Sequence, residues 1–108
     1  MLVFHYQAQR DPSRWPPTPP TDRPWAEIQC WVDLDDPRQA QRVAHFKLLE
    51  LGWIPRELED IHRGSAPYGA ETAETRACHR TARLEGKAAR VLSRRGVPHP
   101  RAGLRQVS

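Results

Sequence analysis

Residues 26–34, AEIQCWVDL, alternate without a break, and the chain then runs straight into a capped helical pattern. Ala26, Ile28, Cys30, Val32 and Leu34 form one row; Glu27, Gln29, Trp31 and Asp33 form the other. Successive side chains of a strand point to opposite faces, so one row meets a core and the other is open or covered by something else. Asp36 is a good N-cap, Pro37 suits the first helical position, and Gln39 stands where a capping box places it. Ala40, Val43, Ala44, Leu48 and Leu51 recur at helical spacing, and Gly52 supplies a left-handed stop. This predicts a helix over about 37–51 and makes a βα unit the anchor of the fold.

The flanking segments are read against that unit. Residues 2–8 alternate, with Leu2, Phe4, Tyr6 and Ala8 opposite Val3, His5 and Gln7, and predict a half-buried strand. Residues 10–25 hold six of the eleven prolines and read as a loop of polyproline II character. Residues 53–62 alternate poorly: Pro55 restricts a strand there to an edge or a strand start, Leu58 and Ile61 fit a helical turn equally well, and the βα topology favours a short edge strand. Residues 63–70 are a loop by composition. Residues 71–95 read as a second helix, with Ala73, Ala77, Leu84, Ala88 and Val91 on one stripe.

The expected order is therefore strand, strand, helix, strand, helix. A right-handed crossover makes the second and third strands parallel, with the first strand between them as in a split βαβ unit. The expectation is a small α/β (α+β) domain over residues 1–95, a three-stranded, half-ferredoxin-like sheet with two helices on one face. Residues 96–108 are expected to form a flexible basic tail.

Charge carries the functional reading. Residues 1–70 hold 8 basic and 10 acidic side chains, whereas residues 71–108 hold 9 and 3. A basic half suggests an anionic partner. The basic residues are 15 Arg and 2 Lys, a bias that GC-rich coding also produces. On a continuous helix, Arg76, Arg80, Arg83, Lys87, Arg90 and Arg94 would form one ridge within an arc of about 80°. Like charges one turn apart repel, so such a ridge costs stability unless an anion meets it. Trp31 lies on the polar row of its strand, where a large aromatic marks a covered surface. The 10–25 loop or a second copy of the chain would supply the cover.

These features suggest a non-catalytic interaction module. Its partner would be an acidic protein surface or a second copy of the chain, met at Trp31, at the basic ridge, or at both. The alternative is a nucleic-acid accessory protein that contacts phosphates through the ridge. Residues 71–108 hold no Trp, which argues against base stacking there. Arg14, Pro17 and Pro20 fit a short Pro-ligand spacing, although a loop packing on its own sheet explains them as well.

Catalytic, cofactor and metal motifs are not apparent. The sequence has no C-x-x-C, no H-x-x-x-H and no glycine-rich phosphate loop. Asp33, Asp35 and Asp36 are explained by the helix start. Cys30 and Cys78 read as thiols in a reducing compartment. No apolar run is long enough to span a membrane, and the first ten residues lack the pattern of a signal peptide. The expected location is the cytoplasm.

Overall fold

The computed structural model describes residues 1–13, 23–64 and 72–97. Most of the proline-rich stretch, including Arg14, Pro17 and Pro20, lies outside the described residues, as does the tail from residue 98. The elements run β1 (Leu2–Arg10), β2 (Trp25–Val32), α1 (Pro37–Glu50), β3 (Trp53–Arg63), α2 (Ala73–Glu85) and β4 (Lys87–Arg95). They form an α+β fold with one four-stranded sheet in the order β3-β1-β2-β4. Each neighbouring pair is antiparallel. The first strand thus lies between the second and third, and those two are parallel to each other.

The βα unit forms for local reasons. The Asp36 carboxylate accepts from the Arg38 N–H at 3.0 Å and caps α1, which satisfies one of the helix's orphan donors. Ala40, Ala44 and Leu48 are fully buried at four-residue spacing. Two alanines on that stripe let the helix backbone settle close to the sheet. Beneath it lie Phe4, Tyr6, Ile28, Cys30 and Val32, and fully burying a large apolar side chain contributes roughly 1.5–3 kcal/mol. Gly52, at φ 88°, turns the chain into β3.

β3 is an edge strand of 11 residues with two register shifts against β1. Arg56 and Glu59 are the extra residues. Between them Leu58 pairs with Tyr6 and packs on the core, while Glu57 pairs with Gln7 on the opposite face. Strict alternation from Trp53 would reverse both. The bulges explain the poor pattern of residues 53–62, because each one shifts the inside–outside phase by one.

Two expectations are corrected. The sheet has four strands rather than three, because the expected 71–95 helix ends at Glu85. Gly86, at φ 90° and ψ −20°, closes the helix by donating to the Ala82 carbonyl, and residues 87–95 then pair with β2. Ala88 and Ala89 favour helix intrinsically. The open edge of β2, however, offers a row of unpaired backbone groups, and pairing satisfies them.

The helices also lie on opposite faces of the sheet, not on one. α1 covers the Phe4–Ile28 face. α2 covers the other face, where Ala82 and Cys78 pack with Val3, Trp31 and Ala88. Gly64 crosses this second cluster closely, and its amide donates to the Met1 carbonyl. A Cβ there would sit 2.8 Å from Val3 Cγ2 and 2.9 Å from Trp31 Cζ3. Gly64→Ala is expected to cost about 1–3 kcal/mol as an overpacked contact. Urea unfolding checks this, and an unchanged midpoint would contradict the packing.

Candidate functional site

The six residues of the expected ridge separate into three places. Arg76, Arg80 and Arg83 remain on α2 and are exposed. Arg83 reaches Asp33 at 3.5 Å and is 63% exposed, a surface pair worth about 0–1 kcal/mol. Arg80 has no ion pair among the described residues. Lys87 and Arg94 belong to β4 and sit on the α1 side of the sheet. Lys87 approaches Glu50 at 3.9 Å. Arg94 stacks over the Trp53 ring at 5.4 Å, and Arg10 stacks on the same ring at 5.5 Å. Ala8 and Ala26, both buried, provide the small floor on which Trp53 lies. Arg94 also donates to the Arg23 carbonyl at 3.0 Å, so its role is local packing.

Trp31 is 4% exposed. α2 of the same chain packs over it through Cys78 and Ala82, while most of the 10–25 loop lies outside the described residues. His79 meets the indole edge-on, with centroids 6.0 Å apart. The indole N–H is buried without a partner among the described residues, which costs about 1–3 kcal/mol.

Arg90 is the ridge member that the structure places in a new context. It lies on the α2 side of the sheet, opposite Gln29. α2 covers only part of that face, and the rest is polar. There a row of side chains crosses all four strands. Arg90 Nε donates to Gln29 Oε1 at 2.9 Å. The Gln29 amide nitrogen then lies 3.3 Å from His5 Nε2. Arginine has donors and no acceptor, so the amide oxygen faces Arg90 and the NH2 donates to His5. In this arrangement His5 Nε2 carries no proton.

His5 pairs with Asp60 across the strands, and His62 follows two residues on, on the same face. The His5 and His62 ring centroids are 5.3 Å apart. His62 Nδ1 donates to Asp60 Oδ2 at 3.0 Å. This hydrogen bond holds the Asp60 carboxyl below its ordinary range. Beside the row, Gln7 donates to the bulged Glu59 at 3.4 Å.

The sequence motifs miss the grouping of His5, Asp60 and His62. H-x-x-x-H is a helical spacing, whereas Asp-x-His in a strand places both side chains on one face. The available signal is D-I-H within an edge-strand pattern, beside a strand whose polar row holds His5. Cys30 and Cys78 are both free thiols, and they belong to the clusters on opposite faces. No helix among the described residues is long and apolar enough to cross a membrane. No protein-family model matches the chain, and neither a curated protein nor a solved structure shows significant similarity to it.

Proposed function

We propose that this protein is a non-catalytic binding module whose second helix presents a short arginine face to an acidic protein surface. The observation that carries the reading is the array Arg76, Arg80 and Arg83, exposed at spacings of four and three on one side of α2. The helix packs through Cys78 and Ala82, so the array lies on the side turned away from the sheet. Like charges at this spacing disfavour the helix by a few tenths of a kcal/mol per pair. A partner's carboxylates would reverse that term and form bidentate pairs with the guanidinium forks.

The array has no exposed aromatic neighbour on α2, since His79 is engaged with Trp31. It therefore offers charge and fork donors without a stacking platform. That favours a carboxylate-rich protein over single-stranded nucleic acid. Contact with duplex phosphates is the second reading, and it rests on the same array.

The test is fluorescence anisotropy of a labelled poly-glutamate peptide and a labelled DNA duplex at two salt concentrations. Wild type is compared with the variant carrying Arg76→Gln, Arg80→Gln and Arg83→Gln. Salt-sensitive peptide binding that the triple variant loses is the expected result. Tighter binding to the duplex, with a log–log salt slope near −0.9 per phosphate neutralised, would establish the second reading instead. No binding to either probe at low salt would overturn both, as would binding that the triple variant retains.

A further inference from the structure

We propose that His5, Asp60 and His62 form a binding site for a divalent transition metal ion of the zinc type, open to solvent on the uncovered half of the sheet. One ligand atom from each residue lies within 4.8 Å of the other two. The three side chains come from adjacent, hydrogen-bonded strands. His5 is directly opposite Asp60, and His62 is opposite Val3, one pleat along the same face. Their relative positions are thus set by the ladder rather than by a loop.

The distances suit the ion. Two ligands about 2.05 Å from a tetrahedral zinc stand about 3.3 Å apart. His62 Nδ1 and Asp60 Oδ2 are already 3.0 Å apart, joined by a hydrogen bond. A metal ion would take the place of that proton, which moves to Nε2 of the neutral ring. His5 supplies the third side, with one of its ring nitrogens within 4.8 Å of the other two ligand atoms. Two imidazoles and one carboxylate select zinc, cobalt, nickel or copper over calcium and magnesium, which prefer all-oxygen shells.

The second β-bulge makes the geometry. Leu58 enters the core at Tyr6, and the extra residue Glu59 then restores the phase. Without it, Asp60 and His62 would face the core. Bulges next to functional sites commonly re-aim side chains in this way. The Asp60 and His62 side chains are 51% and 46% exposed. Three protein ligands leave a coordination position open to water, whereas structural zinc sites are closed by four. The folded core does not include these residues, so the protein is expected to fold with or without the ion.

The test is titration of the full chain with Zn²⁺ by calorimetry and with Co²⁺ by visible absorption. One equivalent is expected to bind, without a thiolate-to-cobalt charge-transfer band. Binding should weaken as pH falls through the histidine range, because the ligands must be deprotonated. His62→Ala and Asp60→Asn are each expected to weaken it by more than about tenfold. Far-UV circular dichroism should show the fold retained in both. His45→Ala and Cys78→Ser are expected to leave it unchanged. Absence of saturable one-equivalent binding would overturn the proposal, as would unchanged affinity in His62→Ala or loss of the ion in Cys78→Ser.

Discussion

Trp31→Ala is expected to lower the stability of the protein by about 3–5 kcal/mol, the range for emptying a large buried aromatic site. The residue is 4% exposed, and its neighbours Val3, Ala82 and Ala88 are small, so little can collapse into the space. Trp31→Phe should lose much less. It keeps most of the ring and removes the indole N–H that is buried without an acceptor among the described residues. Denaturant unfolding of the three proteins measures both differences. The midpoint should not change with protein concentration, because the cover of Trp31 is α2 of the same chain. A concentration-dependent midpoint would mean that a second copy contributes to the cover. A loss below about 1 kcal/mol in Trp31→Ala would contradict the packing of α2 on this face.

Stability is also expected to fall steeply in alkali. Burial, with a smaller opposing effect from Lys47 and Lys87, pushes the Cys30 thiol up from 9.0 to about 12. Burial, aided by Cys30, pushes the Tyr6 phenol up from 10.0 to about 12. Both groups stay protonated in the folded chain at pH values where the unfolded chain has already lost the proton. The unfolded state then binds fewer protons, so stability decreases as pH rises. The effect sets in as pH rises through 9.0, with Cys30, and gains Tyr6 as it rises through 10.0. One such group contributes a slope of about 1.4 kcal/mol per pH unit. Urea unfolding between about pH 8 and 11 reads this slope. Cys30→Ala should be less stable than wild type near neutrality, through its cavity, yet show the shallower alkaline slope. Equal slopes in the two proteins would mean that the Cys30 thiol is not held protonated by the fold.

The two faces of β1 and β2 are legible in the sequence, and so is the cap of α1. The alternation of residues 26–32 and the Asp36–Pro37 start are both satisfied within a few residues of chain. β3 is half legible. Pro55 points to an edge, but the bulges at Arg56 and Glu59 scramble its period. The arginine spacing misleads beyond Glu85. The intervals of 4, 3 and 4 continue through Gly86 in the sequence, whereas the backbone changes from helix to strand there. A register shift of β4 against β2, with Leu92 as the extra residue, then sends Arg90 and Arg94 to opposite faces of the sheet, with Arg94 on Trp53 and Arg90 on Gln29.

What local order settles in this chain is the βα unit, because hydrophobic period and end caps act over one or two turns. Three features need the assembled sheet. Residues 87–95 become a strand because the open edge of β2 requires backbone partners, and ladder hydrogen bonds outweigh the small helix preference of Ala88 and Ala89. α2 takes the opposite face because Trp31 and Val3 there need cover once α1 has occupied the first. His5 meets Asp60 and His62 across more than fifty residues because the bulged register of β3 on β1 aligns them. Pairing between distant strands depends on which edges and faces remain unsatisfied, and a window of sequence does not contain that information.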